Sequence, residues 1–400
     1  MKNIRILSFG SLLKEYGGNL TTGLALVMWK LAYHINKKDG IKVSFAVTDY
    51  YYEKSEIDGL DVIGWTKSGL IKYILQNIII ATKYFFVSIY LFIIYREKLI
   101  RTFIYLIFFD KSIRESKPDI LHVHGTNYIY FLYLDHKFKN KIILTIHGMN
   151  GFDCDIKNYR SQRKIEELIT VTEFNKVIFV TSDLRKQWIE KYGKLISDSC
   201  IIVNAFDNHY YNYCEDEGIK NVIKDKIILS SVGRVYPLKG QERVINAISL
   251  LKEKNNFEYW IIGDSDIRYT TNLKAIAKSF GVEVIFFGPL KPSQVAKRLK
   301  QSDYMILPSS SEGFGIAYLE SIACGTKVII PNILPLSKEN NILNTINSIF
   351  IKDSSIEAIA ECLMELISLP SYNRYVVSQS VTHLNWENIS EDYYQLIKSL

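Results

Sequence analysis

The chain is 400 residues long, 48% apolar and 23% charged. That composition excludes a disordered chain, and the length suits two folded domains of roughly 150–200 residues each. Five scattered cysteines (Cys154, Cys200, Cys214, Cys324, Cys362) lack CxxC or Cys/His spacing, so neither a disulfide framework nor a zinc site is expected and a reducing cytosol fits. The net charge of +7 is uneven: residues 67–117 hold nine Lys/Arg and three Asp/Glu in the most apolar and aromatic part of the chain, which points to an anionic membrane surface and not to nucleic acid.

In chain order, the apolar run at residues 4–9 reads as a first strand and not as a signal peptide. Further strands are predicted at 42–47, 120–123, 141–146 and 176–180, with helices at 20–35 and 184–192 between them. This β-α-β rhythm predicts a parallel sheet covered on both faces. The rhythm restarts in the second half, with strands at 227–231, 259–262, 284–287, 304–307 and 327–330 and helices at 242–252, 272–280, 293–300, 315–323 and 356–368. The polar stretch 204–225 reads as the linker, with a boundary near Lys220. The expected division is 1–219, 220–385 and a closing helix 386–400 that can return to the first domain.

Residues 68–109 break the rhythm. Residues 84–95 carry no charge, and in one continuous helix Lys72, Lys83 and Arg101 would fall within about 20° of one another, with Glu97 nearby, as a polar stripe. The charge-free window is shorter than the roughly 18–20 residues of a span. Helices dipping into a membrane interface are the leading reading, ahead of helices covering the sheet and of a true span.

The strongest chemical signal is LPSSSEGFGIAYLESIACGTKVIIP at residues 307–331. A strand end, a Ser/Gly loop and a helix start put the amides of Phe314, Gly315 and Ile316 at a helix N-terminus, an anion-binding arrangement. Glu312 precedes that helix and Glu320 lies on it, so two carboxylates flank a phosphate site and each must face hydroxyl groups. SVGRVYPLKGQ at 231–241 follows another strand, and Arg234 and Lys239 can converge there on one diphosphate. The paired Gly17 and Gly18 open a helix after the first strand, and His147 ends a buried strand, where α/β proteins keep their sites. His122 and His124 share one strand face without a third ligand spacing and read as packing or hydrogen-bonded groups. Cys324 reads as a small buried residue.

Taken together and in order, these motifs resemble the retaining GT-B glycosyltransferases of family 4. The resemblance rests on Glu312 and Glu320 in EGFGIAYLE, the ACG turn at Ala323, Cys324 and Gly325, Gly233-Arg234 with Lys239-Gly240, and the IIGDS, FFGPL, DILHVHG and VTSD runs. Where many relatives carry Gly-Gly-x-x-Glu after the last strand, this chain has NILPLSKEN. The resemblance implies two Rossmann-like domains facing a central cleft and a metal-independent transfer with no cofactor besides the nucleotide-diphosphate-sugar co-substrate. Arg234 and Lys239 would neutralise the donor diphosphate, Glu320 would hold the ribose, and Glu312 would bind sugar hydroxyls. His147 would face the sugar, Gly17 and Gly18 would approach the phosphate, and Phe287 and Leu290 would lie against the base. The expected partners are a nucleotide sugar, a glycan or lipid-linked acceptor and an anionic membrane, at the cytoplasmic face. A sugar-nucleotide epimerase or hydrolase, or a non-catalytic binding module, are the alternatives.

Overall fold

A computed structural model describes residues 4–12, 23–48, 51–125, 128–134, 142–149, 151, 159–213 and 226–400. It divides into two compact units, Met1–Val203 with Glu387–Leu400, and Asn204–Trp386. The expected boundary near Lys220 lies outside the described residues. The division falls earlier because Phe206 bridges to Asn385 and Tyr211 is buried beside Glu320, both within the second unit.

In the first unit, β1 (Ile4–Gly10), β2 (Ile41–Val47), β3 (Lys54–Ile57), β4 (Leu60–Ile63), β5 (Ile120–His124), β6 (Ile142–Ile146), β7 (Lys176–Phe179) and β8 (Ser199–Ile201) form one sheet in the order β3-β4-β2-β1-β5-β6-β7-β8. Among the described residues only the β3–β4 pair is antiparallel. Strands β5 and β6 are buried at every position, as parallel strands covered on both faces must be. The helices are α1 (Gly23–Asn36), α2 (Lys67–Gln76), α3 (Ile78–Tyr95), α4 (Leu99–Ser116), α5 (Tyr128–Phe131), α6 (Tyr159–Thr170) and α7 (Ser182–Tyr192). The short β3, KSEI, carries no apolar alternation, which is why the sequence did not announce the β3–β4 hairpin.

The 68–109 segment is three helices, so the single polar stripe expected of one continuous helix does not exist. Asn77 leaves helical geometry between α2 and α3, and Arg96 ends α3 in the left-handed region at φ 57°. Neither break is a Gly or Pro, the strongest helix breakers, and the apolar run continues across both. A polar clasp holds the three helices together: the buried Asp110 carboxylate of α4 accepts from Tyr73 of α2 at 2.5 Å, Tyr84 of α3 at 2.8 Å and Arg114 at 2.8 Å.

In the second unit, β9 (Ile227–Val232), β10 (Phe257–Ile262), β11 (Val284–Gly288), β12 (Tyr304–Ile306), β13 (Lys327–Pro331) and β14 (Ser348–Ile351) form a wholly parallel sheet in the order β11-β10-β9-β12-β13-β14. Helices α8 (Gln241–Ser249), α9 (Ile267–Phe280), α10 (Pro292–Gln301), α11 (Ile316–Ala323), α12 (Ile356–Leu366) and α13 (Arg374–Gln379) cover it. Helix α9 starts five residues before the expected position because Asp266 caps it, accepting from the amides of Arg268 and Tyr269 at 2.8 and 3.2 Å. The last helix, α14 (Trp386–Ser399), belongs to the first unit from Glu387 onward, where Lys38 pairs with Glu391 at 2.8 Å and Tyr394 donates to the Asp39 carbonyl at 3.2 Å.

The parallel strand order reverses between β1 and β5 in the first unit, apart from the β3–β4 hairpin at its edge, and between β9 and β12 in the second. At such a point the loops leaving the two neighbouring strands diverge and leave a crevice at their carboxyl ends. The loops after β9 and β12 are the two that carry the strongest sequence motifs.

Candidate active site

The loop after β9 turns through Pro237–Lys239 into Gly240, which takes φ +77° and opens α8. A Cβ at Gly240 would sit 2.5 Å from the Pro308 carbonyl, so glycine is what allows this loop to touch the loop after β12. Two contacts fasten the loops: the Ser310 amide donates to the Leu238 carbonyl at 2.8 Å, and Arg243 donates to the Pro308 carbonyl at 2.6 Å and the Ser310 hydroxyl at 3.1 Å. Lys239 consequently forms an ion pair with Glu312, both largely buried, and Ser309 donates to the same carboxylate at 3.1 Å.

Gly315 caps α11 at φ +79°, where a Cβ would fall 2.7 Å from the Tyr318 ring. The Tyr318 hydroxyl donates to the Leu307 carbonyl at 2.5 Å and pins the start of α11 to the end of β12. Backbone bonding in this turn reaches Tyr318, whose amide meets the Gly315 carbonyl at 3.0 Å. The amides of Phe314, Gly315 and Ile316 stand ahead of it, at the positions where a helix leaves donors for an anion.

Glu320, on the same helix, is 6% exposed. Burial pushes its carboxyl up to about 8; Asp207 adds to the shift and a hydrogen bond with Tyr211 opposes it. The sequence raised the problem of two carboxylates beside a phosphate. The fold answers it by neutralising Glu312 with Lys239 and by burying Glu320 where its protonated form is favoured.

Of the expected donor residues, Lys239, Glu312, Phe314, Gly315, Ile316 and Glu320 are gathered on these two loops and α11. Arg234 is exposed on the same β9 loop, with its guanidinium 5.5 Å from the centre of the Tyr236 ring. Phe287 and Leu290 lie at the end of β11, two strands or roughly 10 Å from β9. Arg298 sits 4.4 Å over the Phe287 ring and Trp260 meets its edge at 5.4 Å, contacts the sequence did not suggest. Tyr211, Asp207, Ser309 and Arg243 were likewise missed; only the Ser-rich loop around Ser309 carried a signal.

Gly17 and Gly18 lie outside the described residues. His147, in the first unit, follows β6, and its Nε2 lies 3.0 Å from Nδ1 of His124. His122 Nε2 meets Thr145 Oγ1 at 2.8 Å, and the Tyr393 ring stands 5.7 Å from His122. Burial lowers all three histidines, His147 to about 4 and His122 to about 3, so they are neutral at pH 7. The His147 Nδ1 and His124 Nε2 atoms are buried without a hydrogen-bond partner among the described residues. These residues include no metal-ligating group of three or more His, Cys, Asp or Glu.

Residues 215–380 match the family model of glycosyl transferases group 1, and residues 69–208 match that of glycosyltransferase family 4. The chain belongs to the group 1 glycosyltransferases. An uncharacterized glycosyltransferase of Methanocaldococcus jannaschii is 24% identical over 299 residues, 71% of this chain and 76% of that one. With other curated relatives the match spans roughly half of their length or less. Sucrose-phosphate synthase of Thermosynechococcus elongatus superposes with a TM-score of 0.77 at 15% identity, covering 99% of both chains. The Anabaena protein HepE in complex with UDP and glucose superposes at 0.71 with 14% identity over the whole of both. The fold is GT-B: two α/β units, each built on a mainly or wholly parallel sheet.

Proposed function

We propose that this glycosyltransferase is a retaining, metal-independent hexosyltransferase that uses a UDP- or GDP-sugar and acts on a cell-surface glycan or lipid-linked acceptor at the cytoplasmic face of an anionic membrane. The observation that carries the reading is the Lys239–Glu312 ion pair beside the α11 start, with Glu320 buried on the same helix. A donor entering there replaces one ion pair with two matched contacts: Lys239 turns to the diphosphate and Glu312 accepts from sugar hydroxyls. Arg234 adds a second cation from the same loop, the leading amides of α11 face the anion, and Glu320 accepts from the ribose. The complex of HepE with UDP and glucose supports a UDP-type donor.

In the transfer, the bond from the anomeric carbon to the diphosphate oxygen breaks and a bond to the acceptor oxygen forms on the same face. The acceptor's proton passes to the departing phosphate. Lys239 and Arg234 stabilise the charge that grows on the leaving group, which is where electrostatic stabilisation has most effect.

The test is turnover of a UDP- and GDP-sugar panel with and without glycan and lipid-linked acceptors, in the presence of a chelator, with the product anomer read by NMR. Nucleotide release that requires acceptor and keeps the donor's anomeric configuration is expected. Donor consumption without any acceptor would turn the assignment to a hydrolase or epimerase.

A further inference from the structure

We propose that the cavity between the C-terminal end of α3 and the start of α6 binds the phosphate of an anionic phospholipid and so seats the outer face of α3 in a membrane surface. This deepens the membrane part of the proposed function and is independent of the donor chemistry.

The cavity, about 480 Å³, is lined by Ile93, Ile94, Arg96, Tyr159, Arg160, Ser161 and Lys164. Three cations and two hydroxyls line it, and no carboxylate among the described residues does; this is the donor set that recognises phosphate. Local structure explains the convergence. Arg96 ends α3 in the left-handed region, while Arg160 and Lys164 stand four apart, and so on one face of α6. Lys164 Nζ lies 3.5 Å from the Ile94 carbonyl. The flanking carboxylates are engaged elsewhere: Glu97 by Arg101 at 3.2 Å and Tyr130 at 3.1 Å, and Glu167 by Arg163 at 3.1 Å.

The occupant follows from what adjoins the cavity. Helix α3 turns Ala81, Tyr84, Ser88, Leu91 and Tyr95 inward and leaves a nearly uncharged outer face, with Ile79 84% exposed, Phe86 63% and Ile93 58%, continued on α2 by Leu75 at 70%. Exposure of that extent marks an interaction surface. A free phosphate or nucleotide would match the cations but not this row; an apolar protein partner would match the row but not a cationic hole at one end. A phospholipid with an anionic headgroup matches both. The clasp from Tyr84 to Asp110 fixes α3 alongside α4 and keeps the outer row turned away from that helix, open to a surface.

Sedimentation of the full-length protein with phosphatidylcholine vesicles, with and without phosphatidylglycerol, tests this. Binding should require phosphatidylglycerol. Each cation near an anionic surface is worth about fivefold in affinity, so Arg96→Ala/Lys164→Ala should weaken binding about 20- to 30-fold. Arg96→Gln/Lys164→Gln should give the same loss, with melting temperatures matching wild type. Lys72→Ala/Lys83→Ala removes equal charge from the same segment away from the cavity and should lose distinctly less. An equal loss in that control, or no loss in the cavity variants, overturns the cavity assignment. Binding of soluble glycerophosphoglycerol as tight as that of vesicles overturns the membrane as occupant. Failure to bind any vesicle removes the membrane reading as well, while nucleotide-sugar turnover by the same preparation decides the enzymatic one separately.

Discussion

Helices α11 and α3 depart from the apolar-inside rule in opposite directions. Helix α11 buries a carboxylate, Glu320, among fully buried neighbours such as Leu319 and Ile322; α3 buries Ser88 completely and leaves Ile79 84% exposed. Isolated exposed apolar residues are ordinary, but a buried acid on one helix and an uncovered apolar row on another are each costly in water. The contrast teaches where to look for ligands. A polar group held inside awaits hydroxyls or charge, and an apolar face held outside awaits a non-aqueous surface.

The largest expected effect lies in the α11 region. Lys239 is held against Glu312 by two fastened loops, so Lys239→Ala removes a preorganised cation and frees an uncompensated carboxylate where the diphosphate would sit. Turnover should fall roughly a hundredfold to a thousandfold with the melting temperature little changed, in line with removal of one transition-state donor. Wild-type turnover by this variant would detach the site from the reaction.

Glu320 sharpens the same side of the comparison through pH. Burial raises its carboxyl from an ordinary value of 4.5 to about 8. Between those values the folded chain holds a proton that the unfolded chain has lost. Its contribution is therefore complete below pH 4.5 and falls as pH rises toward 8, by at most about 1.4 kcal/mol per pH unit. Glu320→Gln should flatten that slope in denaturant melts of the ligand-free protein. A slope of unchanged steepness would show that this carboxyl titrates normally.

On the α3 side, the corresponding change is Asp110→Ala. It leaves the Tyr73 and Tyr84 hydroxyls buried without their acceptor and should destabilise the α2–α4 assembly by about 2–3 kcal/mol, with Asp110→Asn costing less because one acceptor oxygen remains. Hydrogen exchange confined to α2–α4 would separate local opening from global loss.

How much of this was legible in the sequence depended on range. The Lys239 and Glu312 motifs were read because each is a short string whose geometry follows from a strand end and a turn. The ion pair between them spans 73 positions and was not. Tyr211 approaches Glu320 from outside any motif, and the His124–His147 contact joins two strands whose adjacency only the sheet order reveals. The parallel architecture was legible from unbroken apolar runs such as those of β5 and β6. The break of residues 68–109 into three helices was not, since the stop signals that Asn77 and Arg96 carry are weak beside an apolar run that continues across both.

The smallest expected effect comes from the most exposed part of α3. Ile79→Ser and Phe86→Ser alter side chains that are 84% and 63% exposed, so little native packing is lost and folding stability should shift by no more than about 0.5 kcal/mol each. An isolated helix covering a sheet would behave otherwise, because its apolar residues would be shielded and their loss would cost several times more. A chemical-denaturation midpoint that drops sharply for Phe86→Ser would mean that the outer face of α3 is covered by the chain's own residues in solution. An unchanged midpoint would mean that the apolar row is uncovered in water and free for contacts beyond the fold.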